Sequence, residues 1–245
     1  MNSKYFGNAL DLFKFDLLTY LATVDSLDIL YVGMITEPQP KEFDPKYLTY
    51  EIGNKNKNLK EFLEKRFDRN SKAEVTEITD YFKTVNIQFN MFAAKEITSD
   101  YFQDKIREPY FNSVANRITT LKKDNMIYFD PDVGSDIGVK RRFRSNKELY
   151  IKGEDLVKIK AQLRTTDFIG YFQHLGNTHY SVDKRIKDIK DFFGEWALMV
   201  GYARIQASIV LLLNNKKQYE DKREQIKQYF KNYEDLEHKE KIIIE

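Results

Sequence analysis

Apolar residues recur along the chain in two rhythms. Between Ala9 and Ala22 they fall at Leu10, Phe13, Leu17, Leu18 and Leu21, one stripe at helical spacing. Gly7 and Asn8 stand just before it, and Asn is a good helix N-cap because its side-chain oxygen accepts a free N–H of the first turn. The same spacing predicts helices over Asn58–Phe67, Glu154–Leu163 and Val182–Phe193. It predicts a longer helical stretch over Ile97–Lys122, with Pro109 near its middle starting a second helix at a bend. Val75–Phe82 reads as a helix or a helix–strand mixture. Shorter apolar runs, rich in β-formers, predict strands over Ile29–Thr36, Ile127–Phe129 and Asp167–Leu175. Trp196–Ala203 and Ala207–Leu213 are separated only by Arg204, Ile205 and Gln206, which predicts an antiparallel hairpin at one sheet edge. Lys216–Lys241 is predicted as a charged terminal helix, packed weakly or extended outward.

Alternation of helices and strands implies an α/β fold, a Rossmann-like mixed sheet with an antiparallel edge hairpin and a helical C-terminal tail. The expected organisation is one Rossmann-like domain over 1–213 and a charged helical extension over 214–245. Composition narrows the chemistry. With 245 residues, 42% of them hydrophobic and 32% charged, the chain can bury a substantial core. It has no cysteine, which excludes disulfides, thiolate catalysis and a cysteine-based zinc site. Its net charge is +2, so attraction to nucleic acid requires a local patch. The longest apolar runs, such as Ile209–Leu213, are too short to span a bilayer, and Met1–Tyr5 lead into a charged amphipathic segment rather than a signal peptide. A cytoplasmic location without a membrane partner is the expectation.

The stretch Asn125–Gly138, NMIYFDPDVGSDIG, carries the densest candidate chemistry. Pro131 lacks an N–H and ends the strand, leaving Asp130 and Asp132 at its carboxyl end, where open α/β sheets collect ligands. Two nearby acids repel, which raises one pKa and yields an acid–base pair. Such a pair suits glycosidic cleavage of a nucleotide, or a divalent metal held together with Asp136. His174, at the end of the Asp167–Leu175 strand, is the candidate third polar partner. The plainer accounts are an Asp-Pro turn with solvated acids, a strand-end histidine, and a surface ion pair between Asp11 and Lys14. Beyond the acids comes a basic cluster of Lys140, Arg141, Arg142, Arg144 and Lys147. With Lys184, Arg185, Lys187 and Lys190 it offers a rim for phosphates, and Phe143 a surface for a base. Nucleic acid is the expected partner.

Two motifs carry a resemblance. GNALDLFK, Gly7–Lys14, resembles the G-N-x-x-D-x-x-K segment of the ribosomal-RNA adenine-N6 methyltransferases of the RlmJ type, and Asp130-Pro131 resembles the start of their D-P-P-[FY] motif. The resemblance implies a Rossmann-like fold that uses S-adenosylmethionine, with Gly7, Asn8, Asp11, Lys14 and Pro131 at the cofactor. It also implies that Asp130 accepts a hydrogen bond from the target amine. The chain departs from that pattern at Asp132 and Val133, and its first strand ends in Gly33-Met34-Ile35-Thr36 rather than an acidic glycine-rich turn. YFGNALDLFKFDLL, FDPDVG and YFQH together resemble, more closely, uncharacterised bacterial and phage proteins with F-D-P-D-x-G and Y-Q-H patterns. Three functions stay open on the sequence. They are a base-modifying, methyltransferase-like enzyme, a glycosylase or nuclease working in phage–host conflict, and a non-catalytic nucleic-acid or protein binding module that has lost its cofactor.

Overall fold

The central strands read as near-continuous apolar runs because both faces of their sheet are covered. The computed structural model describes residues 6–37, 52–67, 75–97, 101–138, 147–175, 182–234 and 242–245. Strands β1 (Asp28–Gly33), β2 (Phe89–Ala93) and β3 (Asn125–Asp130) come first, followed by the short β4 (Gly134–Ser135) and β5 (Tyr150–Ile151). Then come β6 (Phe168–His174), β7 (Ala197–Tyr202), β8 (Ala207–Leu212) and β9 (Ile242–Ile244). Seven of them form one sheet in the order β2-β1-β3-β6-β8-β7-β9, while β4 and β5 form a separate parallel pair. The pairings from β2 to β6 are parallel, and those of β8 with β6 and β7 and of β9 with β7 are antiparallel. The sheet is therefore mixed and Rossmann-like, as the alternation of elements predicts.

Side chains alternate across the pleat. Ile29, Tyr31, Met126 and Tyr128 join one core with α1 (Ala9–Asp25), α2 (Lys57–Phe67), α3 (Ile78–Thr84) and, later in the chain, α7 (Lys216–Lys231). Leu30, Val32, Ile127 and Phe129 join the other core with α4 (Arg107–Thr119), α5 (Gly153–Lys160) and α6 (Val182–Phe193). Asn8 caps α1 as expected, its Oδ1 accepting from the N–H groups of Leu10 and Asp11 at 2.9 and 3.1 Å. Gly7 precedes it with φ 99°, a left-handed conformation open to glycine.

Several elements differ from the sequence expectation. The helix expected over Ile97–Lys122 is α4, beginning at Arg107 after a short 3-10 turn at Asp104–Ile106. Pro109 lies in its first turn, where an N–H has no intrahelical acceptor, so it opens a helix there as expected. Strand β2 has no counterpart in the expectation. At the C-terminus the expected helix forms, but not as an outlying tail. Ile226, Tyr229 and Phe230 are buried, Lys222 reaches Asp25 of α1 at 2.6 Å, and β9 returns to pair with β7 beyond the hairpin. The hairpin is thus one strand in from the edge. Among the described residues no helix is long and apolar enough to cross a membrane.

Candidate site at the carboxyl ends of the central strands

Strand β3 stops at Asp130 because Pro131 follows, and the Asp130 side chain falls on the face covered by α1. There it meets the N-terminal motif. Lys14 Nζ lies 2.8 Å from Asp130 Oδ2 and 2.7 Å from Asp11 Oδ1, and it also reaches the Tyr31 hydroxyl at 3.5 Å. Tyr31 donates its own proton to Asp130 Oδ2, and the Gly7 N–H donates to Asp11 Oδ2 at 2.8 Å. The motif helix and the Asp-Pro strand end are therefore one cluster, although Lys14 and Asp130 are 116 residues apart in sequence.

This cluster corrects two expectations. Asp130 is only 2% exposed, so it is not a solvent-facing strand-end acid, and Asp11 with Lys14 is a buried pair rather than a surface one. The electrostatics follow from that burial. Desolvation raises the Asp11 pKa, and the Lys14 ammonium pulls it back only in part. Burial alone would lower Lys14, but the carboxylates of Asp11 and Asp130 more than reverse this and hold the ammonium charged. Burial together with the Asp130 carboxylate keeps Tyr31 protonated, so it acts as a donor. Beneath them the Tyr128 ring stacks on Tyr31 with centroids 5.7 Å apart.

Asp132 is turned to a different partner. It is half-buried and accepts from the hydroxyl of Thr36, which lies just past the end of β1. The loop that carries it is fixed from β6. The Val133 carbonyl accepts from the His174 N–H at 2.8 Å, and Gln173 Oε1 accepts from the Ser135 N–H at 3.0 Å. Gly134, at φ 127°, packs so closely that a Cβ there would lie 2.5 Å from Gln173 Nε2. His174 is half-buried with an edge contact to Phe172, and burial lowers its pKa, leaving a neutral imidazole at pH 7. Asp136 accepts from the N–H of Gly153 at the start of α5. Among the described residues no group of three His, Asp or Glu is placed to hold a metal ion, and Asp130, Asp132 and Asp136 do not converge on one.

A clamp that the sequence did not reveal fastens the same edge. Arg107, 6% exposed, contacts Asp104 at 2.7 Å and Asp155 at 2.5 Å, and donates to the carbonyls of Lys147 and Tyr150 at 2.7 and 3.0 Å. A second missed residue is Glu96, just past the end of β2, which is exposed and whose Oε1 accepts from the Ala93 N–H at 3.3 Å. Its signal was an acid after an apolar run, and it went unread because β2 itself did. Lys140, Arg141, Arg142 and Arg144 lie outside the described residues. Strands β4 and β5, which precede and follow them in sequence, pair with each other.

No family model matches the chain, and no curated protein matches it. Among solved structures, a protein from Legionella pneumophila assigned to the DUF519 family aligns with 98% of this chain and 96% of its own length. The identity is 9% and the TM-score 0.42.

Proposed function

We propose that this protein modifies an amino group of a nucleic-acid base, using S-adenosylmethionine bound across the carboxyl ends of β2, β1 and β3. The observation that carries the reading is the strand order. The chain passes from β1 to β2 on one side and then crosses back over β1 to β3 on the other, and such a reversal leaves a crevice where α/β sheets bind nucleotides. Around it stand Glu96 after β2, Thr36 after β1, and Asp130-Pro131-Asp132 after β3.

The residues fit the cofactor at its sugar. An acid past the second strand accepts hydrogen bonds from ribose hydroxyls, and Glu96 is that acid. When bound, S-adenosylmethionine supplies an electrophilic methyl group. Because Lys14 and Tyr31 engage Asp130, its role is positioning. It anchors the strand end to α1 and sets the height of Pro131 and Asp132. Asp132 then accepts from the target amine, the role the resemblance gives to Asp130. Neutral His174 is the group that takes the amine's proton. Lys140, Arg141, Arg142 and Arg144 supply cations for the phosphates of the nucleic acid.

A hydrolase built on paired acids is less well supported, since Asp130 is bound to Lys14 and Tyr31 on the α1 side and Asp132 turns to Thr36, so the two acids are not a pair. Isothermal titration with S-adenosylmethionine and S-adenosylhomocysteine tests the reading. Saturable binding that is lost in Glu96→Ala is expected, as is loss of labelled-methyl transfer to RNA or DNA in Asp132→Asn. Wild-type protein that binds neither compound refutes it.

A further inference from the structure

Consecutive isoleucines form a strand readily wherever a partner strand exists. Ile242, Ile243 and Ile244 of β9 meet β7 on one side only. Strand β9 ends the seven-stranded sheet, and among the described residues no strand pairs with its other side. Natural sheets blunt such an edge with lysine or proline inside the strand. Strand β9 has neither, and each of its isoleucines is half-buried. We propose that this edge pairs antiparallel with β9 of a second copy of the chain, across a two-fold axis at Ile243, so that two sheets become one.

The ladder to β7 fixes which backbone groups face outward. The Met199 N–H donates to the backbone oxygen of Glu245 at 2.7 Å, and the Glu245 N–H donates to that of Met199 at 3.0 Å, so these two are a hydrogen-bonded pair. Such pairs alternate along an antiparallel ladder, which makes Ile243 with Gly201 the next one. The N–H and C=O groups of Ile242 and Ile244 therefore point away from β7. Only a register centred on Ile243 uses all of them within the strand. Ile242 of each copy then exchanges both bonds with the partner's Ile244.

The side chains fit the same register. Ile242 and Ile244 turn to the core that α7 covers, and Ile243 stands on the opposite face. Its neighbour on β7 is Gly201, which has no side chain, so the cross-strand contact that stabilises a sheet face has to come from the far side. A second Ile243 supplies it. Charge spacing in the sequence selects the antiparallel sense, since Lys241 stands just before the run and Glu245 just after. Antiparallel copies set unlike charges beside each other at both ends, whereas parallel copies set like ones.

Sedimentation velocity of the full chain across the micromolar range tests the mass, and a single thiol tests the register. The chain has no cysteine of its own. On the proposed axis the two copies of residue 243 form a non-hydrogen-bonded pair, with Cα atoms about 4.5 Å apart, within disulfide range. Under mild oxidation Ile243→Cys is expected to give a cross-linked dimer. Ile242→Cys, which would face the partner's Ile244 on the other side of the sheet, is expected to give little. Ile243→Lys sets like charges against each other on the axis and is expected to raise the dimer dissociation constant about ten-fold or more. Its circular-dichroism spectrum should match wild type, because the position is half-exposed in one chain. If Ile243→Lys misfolds, the two cysteine variants decide. The proposal is overturned if wild type is monomeric throughout or assembles beyond a dimer, or if Ile242→Cys cross-links as readily as Ile243→Cys. It is also overturned if a folded Ile243→Lys dimerises as tightly as wild type.

Discussion

Replacing Lys14 with Met removes the one ammonium set between Asp11 and Asp130 while keeping most of the side-chain volume. Both carboxylates lie within 2.8 Å of the Lys14 nitrogen, and all three side chains are at most 5% exposed. Removing one partner of a buried ion pair costs about 3–5 kcal/mol, because the remaining charge is left desolvated. Two stranded acids put Lys14→Met near the upper end, about 5 kcal/mol, against a total stability of roughly 5–15 kcal/mol for a domain. At this chain length that corresponds to a fall in Tm of roughly 10–20 °C. Urea unfolding followed by circular dichroism and Trp196 fluorescence measures it as a lower midpoint with an unchanged slope. The pH dependence has a definite sign. Burial already raises the Asp11 pKa above its unfolded value, and Lys14 is what restrains it. In Lys14→Met the folded value climbs further, so the variant keeps its stability below about pH 4, the unfolded carboxyl value, and loses it as pH rises through the folded one. The gap to wild type should therefore narrow on acidification from pH 7. The triple variant Asp11→Asn/Lys14→Met/Asp130→Asn should recover most of the loss, since no charge remains buried. A cost under about 1 kcal/mol at pH 7, or a gap that does not change with pH, would refute the reasoning and mean that the acids reach water.

Three other substitutions follow from the same structure. Burial raises the Asp16 pKa, with the hydrogen bonds of Tyr229, Tyr233 and Asn56 lowering it only in part, so wild type loses stability as pH rises through that value. Asp16→Asn should gain on wild type in urea midpoint from about pH 4 upward, and a constant difference would contradict the shift. Arg107→Lys cannot reproduce a planar fork that serves two carboxylates and two carbonyls, and should cost about 2–4 kcal/mol; a urea midpoint matching wild type would show the clamp to be dispensable. Gly134→Ala combines a positive φ with a Cβ 2.5 Å from the Gln173 amide, and should cost about 1–3 kcal/mol. Unchanged thermal unfolding in that variant would show that the acidic loop yields freely.

The elements read most directly were those whose signal is local. The α1 stripe, the Asn8 cap, the β3 stop at Pro131 and the bounds of α6 each depend on a few neighbouring residues. Strand β2 was missed because Phe89–Ala93 mixes Asn and Met into a short run between polar flanks, and its burial comes from β1 and α3 rather than from alternation. The β9 strand was missed because three isoleucines after a charged stretch say nothing about the partner strand they join. At the site, residue types and their proximity were legible but solvation was not. Asp11 and Lys14 at i, i+3 look alike on a surface and in a core, and only the packing of α1 over Tyr31 and Asp130 distinguishes the two. Asp130 carries the same ambiguity, since nothing in FDPD announces that its carboxylate is buried against Lys14 and Tyr31.

The polar contacts of α1 also set a timetable. Lys14 waits for Asp130, and Asp25 and Asp16 wait for Lys222, Gln225, Tyr229 and Tyr233, at separations of 197 to 217 residues. Closing loops of that length is slow, and topologies rich in such contacts fold slowly. During synthesis at about 5–20 residues per second, roughly 10–40 s pass between the emergence of α1 and that of the helix that covers its outer side. Phe15, whose ring meets Phe6, Tyr31 and Phe82, has its partners long before then, whereas Tyr20 waits for Tyr229. Helix α1 is thus secured in two steps, its sheet side by strands that soon follow it and its outer side only once α7 has been made.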